Sequence, residues 1–328
     1  MALSACGSGS PAPTPTAPAV DGQLGRQLKD AVTDAGALVH LQELQTIADS
    51  NGGNRASPSP GYLASVEYVS GVLRAAGFEV ETPEYQLSRR HVGADGRTTL
   101  PNVVTQTRTG DPAHVVVIGA HLDSVEEGPG IVDDGSGVAT LLEIATRLGP
   151  SPAVRNAVRF GFWGSEETGA QGSTGYVTSL SDEARGAIML YLNVDMVASP
   201  GGGYFVQGGT GDDASSAGPP GSAAVGDVLA AQLAGTGVTP ERIKFVGDDE
   251  TPFVEAGIPS AGAENGDSGR RTEEQAQAWG GHAGEVYDPC YHSACDTIRN
   301  VNPVVLDRYL HAIAGTVAHF ATTTEPLP

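Results

Sequence analysis

Three short apolar runs constrain this chain more than any other feature. They are "VVVIGAHLDS" at 115–124, "NAVRFGFWGSEE" at 156–167 and "AIMLYLNVDMVAS" at 187–199. A strand with one wet face alternates apolar and polar residues. A run without alternation marks a strand buried on both faces, as in sheets covered by helices. Between the first two runs lies "DGSGVATLLEIATRLG", a helix entered through glycines. Upstream, "LKDAVTDAGALVHLQELQTIADS" from Leu28 to Ser50 and "GYLASVEYVSGVLRAAGFEV" from Gly61 carry apolar residues at helical spacing, the second stopping near Gly77. Residues 80–108 carry Val, Thr and Tyr and predict strands with a turn at "GADGR". Strands alternating with helices predict an α/β fold: a single globular domain whose central mixed, largely parallel sheet is flanked by helices. No internal repeat is visible. The Gly/Pro-rich patches at 200–221 and 262–270 read as surface loops on the same unit.

The first twenty residues, "MALSACGSGSPAPTPTAPAV", are a Pro/Ser/Thr/Gly/Ala tract that cannot pack. Residues 1–25 are therefore expected to be a tether and 26–328 the folded domain. Leu3-Ser4-Ala5-Cys6 resembles a lipobox, in which the Cys is lipidated after cleavage. The basic start and long apolar run usual upstream of such a Cys do not precede it here. Membrane attachment is expected only through a lipid on Cys6, because no stretch approaches the roughly 20 apolar residues of a span. The formal charge of −21 argues against a nucleic-acid partner and against adsorption to anionic lipid. The two remaining cysteines, Cys290 and Cys295, stand in "CYHSAC". A close pair in an otherwise thiol-free domain fits a local disulfide in an oxidising compartment, with two free buried thiols as the alternative. These features predict a secreted or extracytoplasmic chain, lipid-anchored if Cys6 is modified, acting as a monomer.

In α/β sheets ligands sit beyond the carboxyl ends of the strands. There this sequence places His121 and Asp123, Glu166 and Glu167, and Asp195. Asp133 and Asp134 precede the glycine-entered helix, and "CYHSAC" adds Tyr291 and His292. Singly, a strand-end His is usually a structural hydrogen-bonder and a strand-end Asp a helix cap. Together they form a set of two imidazoles and several carboxylates. One zinc needs three protein ligands and an open position. This set is too large for one ion and suits two sharing a carboxylate.

The segments "TIADSNGGNR", "GAHLDSVEEGPGIVDDGSG", "WGSEETGAQGS", "LNVDM" and "AQAWGGHAGEVYDPCYHSACDT" resemble, in order and over residues 37–320, the secreted bacterial double-zinc aminopeptidases. These belong to the co-catalytic zinc peptidase family that also holds aminopeptidase Y and the glutamate carboxypeptidases. The resemblance implies a zinc-exopeptidase, three-layer, phosphorylase/hydrolase-like fold and two zinc ions per chain. It implies that His121, Asp133 and Asp195 hold one ion and Asp133, Glu167 and His292 the other. Asp123 would orient the His121 imidazole, and the Asp133–Asp134 peptide would be cis. Glu166 would take a proton from the attacking water and deliver it to the leaving amine, and Tyr291 would donate to the tetrahedral oxyanion. A Cys290–Cys295 disulfide would pin the loop bearing Tyr291 and His292. Peptides would be the substrates, and relatives favour apolar first residues such as Leu.

The chain departs from this pattern at "VGDDETPF", residues 246–253. Similar enzymes carry Gly-Arg-Ser-Asp-His-x-Pro-Phe there. The Arg is absent and Glu250 stands where His would be, which bears on the pocket for the peptide N-terminus. Glu166 and Asp195 are the carboxylates that the resemblance offers to a free α-amine. The calcium pattern of some relatives is only partly present, with Asp307 but His311 four residues on, so no calcium is expected. Two other readings stand beside the aminopeptidase. One is a different metal-dependent exopeptidase or amidohydrolase, such as a carboxypeptidase using Arg270 or Arg271. The other is a non-catalytic surface protein that binds peptides.

Overall fold

The three apolar runs form neighbouring strands in the middle of one sheet in the computed structural model, which describes residues 22–93, 95–211 and 214–327. Cys6 and residues 1–21 of the expected tether lie outside the described residues. The chain begins with helices α1 (Gln23–Ala31), α2 (Asp34–Ser50) and α3 (Pro60–Ala75). Strands β1 (Val80–Glu81), β2 (Glu84–Gln86), β3 (Thr99–Pro101), β4 (Val103–Gln106) and β5 (Asp111–His121) follow. Then come α4 (Gly135–Leu148), β6 (Asn156–Trp163), α5 (Gln171–Ser179), α6 (Asp182–Gly186) and β7 (Ile188–Val194). The last third comprises β8 (Phe205–Gln207), α7 (Ala214–Ala217), α8 (Ser222–Gly235), β9 (Glu241–Ile243), α9 (Thr251–Glu255), β10 (Ser260–Glu264), α10 (Glu273–Trp279) and α11 (Pro303–Thr322).

Among the described residues the main sheet has eight strands in the order β1-β4-β6-β5-β7-β10-β8-β9, and β2 and β3 form a separate hairpin. The central four, β6-β5-β7-β10, are parallel, and antiparallel pairs flank them. The faces divide as the unbroken runs require. Val116, Ile118 and Ala120 of β5 pack in the larger core with α2, α3, α4, α8 and α11. Val115 and Val117 face a smaller core with Tyr176 of α5 and Phe253 of α9. On that second face Phe253 stacks on Tyr191 at 3.7 Å, and the Trp163 indole donates to the Tyr191 hydroxyl at 2.9 Å. The Trp163–Tyr191 pair lies across Gly119, where any Cβ would strike both rings.

The region read as one helix from Leu28 to Ser50 is two. Val32 is extended, and Thr33 caps α2 by accepting from the Gly36 N–H at 3.0 Å. Glu143 of α4 takes the Thr33 N–H at 3.0 Å, which fixes the break. Helix α1 begins at Gln23, inside the tract read as tether, because Leu24 and Leu28 reach the main core.

The surface-loop reading of 200–221 and 262–270 is corrected at two places. Phe205–Gln207 is a buried strand, and Gly262–Glu264 lies in β10 beside β7. The residues "SAGAE" give no apolar signal, yet their small size lets α8 pack close to the sheet, where Ser222 Oγ accepts from the Ser260 N–H at 3.0 Å.

Candidate metal centre

Parallel strands deliver their C-terminal residues to one edge. His121 ends β5 in register with Trp163 of β6, so Glu166 and Glu167 leave the sheet beside it. Asp195 follows β7 directly. Asp133 comes from the loop before α4, and its peptide bond to Asp134 is cis. His292 reaches over from the loop between the bonded Cys290 and Cys295, whose Cα atoms are 5.2 Å apart. The predicted disulfide is thus present. Ser165, Met196 and His292 adopt φ of 57°, 50° and 52°. Non-glycine residues rarely do so, and here they flank or form the cluster.

The contacts divide into two groups that share one carboxylate. Asp133 Oδ1 lies 3.0 Å from His121 Nε2, and Asp133 Oδ2 lies 3.1 Å from His292 Nε2. His121 Nε2 is also 3.6 Å from Asp195 Oδ1, and His292 Nε2 is 3.0 Å from Glu167 Oε2. The His121 Nδ1–H donates to the Asp123 carbonyl at 3.2 Å. That bond fixes Nδ1 as a donor and turns Nε2 toward the carboxylates, the orientation a metal ligand needs. The Asp123 carboxylate is farther, 3.7 Å from Nδ1, and instead accepts the Glu166 N–H at 3.1 Å. Asp123 therefore holds the imidazole chiefly through its backbone.

His121, Asp134 and Asp195 also bring ligand atoms within 4.8 Å of one another. Asp134, however, caps α4 through the Gly137 N–H at 2.7 Å and accepts from the Met196 N–H at 3.1 Å with the same oxygen. Its work is local. Asp133 is the carboxylate free to face both imidazoles.

The donor set fits divalent cations. Carboxylate oxygens and imidazole nitrogens face one another in a buried space, and Glu167 Oε1 is buried without a partner among the described residues. Burial pushes Glu167 up to about 7, with Asp133 adding to it. Burial pushes Glu166 up to about 11. Burial would raise Asp133 too, but the bonds from His121 and His292 hold it well below the usual carboxylate range. His292 is raised to about 10 by Asp133 and Glu167. So much shared negative charge favours whatever cation can sit between these groups. The Glu166 carboxyl takes part in none of the contacts that join the five. It lines a cavity of about 230 Å³ together with Tyr291, which stacks on His292 at 3.8 Å.

Two residues that hold this geometry escaped the sequence reading. Asp296 accepts the N–H groups of Val132 and Asp133 at 2.9 and 3.1 Å. Arg55 is fully buried and donates to the carbonyls of Leu122, Pro129 and Gly130. It thereby clamps the loop between β5 and Asp133. Arg55 stands in a Gly-rich polar stretch and Asp296 next to a cysteine. Neither context signals burial.

The departing segment 246–253 forms part of the cavity wall. Glu250 turns inward, accepting from the Gly247 and Asp248 N–H groups at 3.3 and 3.2 Å. Asp248 lines the cavity with Val246, Glu264 and Asp267. Arg270 and Arg271, the basic candidates for gripping a terminal carboxylate, do not line it. Arg270 donates to the Gly284 carbonyl at 2.7 Å, and Arg271 lies over the Tyr287 ring and donates to the Gly201 carbonyl.

Residues 102–317 match peptidase family M28. The chain is 41% identical over 300 residues to leupeptin-inactivating enzyme 1 of Streptomyces exfoliatus, covering 90% of this chain and 63% of that protein. It is 33% identical to a Mycobacterium tuberculosis protein named "Probable lipoprotein aminopeptidase LpqL", covering 90% of this chain and 86% of the other. The fold is that of BSAP, a zinc aminopeptidase from Bacillus subtilis, with a TM-score of 0.71 at 16% identity over 89% of this chain and 96% of that one. The chain thus spans less than two thirds of the Streptomyces relative's length.

Proposed function

This chain belongs to peptidase family M28, and from that premise we propose that it is a zinc-dependent aminopeptidase, removing single residues from the N-termini of peptides. The observation that carries this reading is Asp133, whose two carboxylate oxygens each face a different imidazole at 3.0 and 3.1 Å. A carboxylate so placed is suited to bridging two ions. His121, Asp133 and Asp195 would hold one zinc, and Asp133, Glu167 and His292 the other. Zinc bound there lowers the pKa of water and polarises the scissile carbonyl.

The chain's own residues do the rest. Glu166, close to the five but bonded to none, is the base: cations held by the five would offset the burial that raises its pKa and return it to the carboxylate, which takes the proton of the attacking water and passes it to the leaving amine. Tyr291 keeps its phenol proton, since burial and the neighbouring carboxylates Asp133 and Asp195 push its pKa well up. It can therefore donate to the oxyanion as charge develops. Glu166 and Asp195 receive the substrate's α-ammonium. The Cys290–Cys295 disulfide keeps Tyr291 and His292 in place. A carboxypeptidase is disfavoured because Arg270 and Arg271 are committed elsewhere. We also place the protein outside the cytoplasm, anchored through Cys6. The disulfide and the relative named as a lipoprotein aminopeptidase support that placement.

The test is release of leucine from leucine p-nitroanilide by wild type and Glu166→Ala, with zinc counted per chain. Wild type should turn over with about two zinc ions. Glu166→Ala should keep its zinc and lose roughly 10²–10⁴-fold in kcat. A wild-type protein that binds no zinc, or a mutant that keeps full turnover, would sink the reading.

A further inference from the structure

The cavity beside the metal cluster has a second wall that neither the metals nor the peptide bond requires. Glu264 ends β10, which runs parallel to β7 with Ala263 opposite Val194. The Asp195 N–H donates to the Ala263 carbonyl at 3.1 Å, so Glu264 stands one strand over from Asp195. Asp248 and Asp267 line the same cavity. Among the described residues no lysine or arginine pairs with Asp248, Glu264 or Asp267. Behind them Gln207, 1% exposed, donates its amide N–H to Glu264 Oε2 at 2.7 Å and reaches Asp248 Oδ2 at 3.5 Å. That carboxamide holds two carboxylates side by side without neutralising either, and its own Oε1 is buried without a partner among the described residues. Among the described residues the apolar side chains on the cavity wall are Met196 and Val246.

From this we infer that the enzyme's preferred substrates begin with a basic residue, whose side-chain cation is received by Asp248, Glu264 and Asp267. The inference rests on the aminopeptidase reading. The α-ammonium common to all peptides is served by Glu166 and Asp195, so three further carboxylates exceed what it needs. The second wall offers only acceptors. An ammonium or guanidinium has donors alone and matches it. An apolar side chain would strip water from three carboxylates and return nothing, which is costly. The Leu preference implied by the resemblance thus gives way to the chemistry of this wall.

The experiment compares kcat/KM of the zinc-loaded full chain on lysine, norleucine and leucine p-nitroanilides. Norleucine keeps the four-carbon stem of lysine and lacks the ammonium, so their ratio isolates the charge. We expect lysine to exceed norleucine by about tenfold or more. The ratio should fall towards one in Asp248→Asn and in Glu264→Gln. Asp248 lies in the loop between β9 and α9, outside the sheet, so its variant serves if the strand variant misfolds. Norleucine cleaved as well as lysine by wild type, or a ratio that Asp248→Asn leaves unchanged, would overturn the inference. Leucine cleaved without any preference for lysine defeats this inference alone. If the zinc-loaded chain cleaves none of the three, the aminopeptidase reading falls with it.

Discussion

The two walls of the cavity balance buried negative charge in opposite ways. On the metal wall, Asp133 meets His121 and His292, and those bonds hold it well below the usual carboxylate range although burial works against them. On the other wall, burial pushes Glu264 up to about 7, and its bonded partner is the neutral amide of Gln207. Asp248 is likewise raised well above its ordinary value by burial, with Asp195 and Glu250 adding to it. Equal burial therefore does not mean equal demand. The first wall is preorganised around imidazoles that can exchange a shared proton for a metal. The second keeps its carboxylates together and leaves the counter-charge to come from outside the chain.

Breaking the first wall should have the largest effect. Asp133→Asn removes the one group that faces both imidazoles, and a carboxamide is a poor bridge between two cations. Partners that merely orient a ligand cost 10–100-fold when lost, so this bridging position should cost more than about 100-fold in zinc affinity and remove turnover with it. Zinc counted after dialysis, with circular dichroism to verify folding, checks this. Asp267→Asn on the opposite wall should keep its zinc. If both variants retain two ions, the division between the walls is wrong.

How much of this was legible in the sequence follows the same division. The metal wall hangs from β5, β6 and β7, whose Val, Ile, Leu and Phe runs announce burial and whose ends announce polarity. The second wall hangs from β10 and the 246–250 loop. "SAGAE" reads as a loop because small residues carry no hydrophobic signal, and only α8 packed above them makes them a buried strand. The resemblance marked 246–253 as a departure, yet the direction each acid faces depends on the loop path. Glu250 turns inward to backbone N–H groups while Asp248 faces the cavity. Arg55 and Asp296 were missed for a different reason. They act on backbone carbonyls and N–H groups, and side-chain pattern does not report where a backbone will need a partner.

A subtler way to strain the first wall is Asp296→Asn. The carboxylate now takes two N–H bonds, from Val132 and Asp133, and Asn300 Nδ2 approaches it at 3.4 Å. A carboxamide has one acceptor oxygen, and its NH₂ would oppose one of those donors. The bridge would stay in the sequence but lose its aim. We expect a 10–100-fold loss in zinc affinity or kcat, with KM changing much less. Loss of thermal stability with unchanged zinc affinity and kcat would show that Asp296 supports only the loop.

The smallest effect, and the one that separates the walls without mutation, is the pH dependence of stability. In the metal-free chain Glu167 and Glu264 are raised from 4.5 to about 7, and Asp249 from 3.8 to about 8, burial being the leading cause in each. The folded state therefore holds protons that the unfolded chain releases at lower pH. Stability from these groups is fully present below about pH 4 and is lost as pH rises through 7 to 8. His292, raised to about 10, adds the same sign above its unfolded value of 6.5. Asp133, depressed, loses its contribution only at lower pH, below this window. His40 opposes the trend, since burial lowers its pKa and favours the neutral form as pH rises. Several groups outweigh one, so the metal-free melting temperature should fall by about 2–4 °C between pH 5.5 and 8. Zinc should flatten the part of that slope due to Glu167 and His292 and leave the part due to Glu264 and Asp249. In the zinc-loaded chain, Glu264→Gln should then remove its share of what remains and leave the share due to Asp249. A melting temperature that rises over this interval in the metal-free chain would mean that the carboxylates of both walls already have counter-charges.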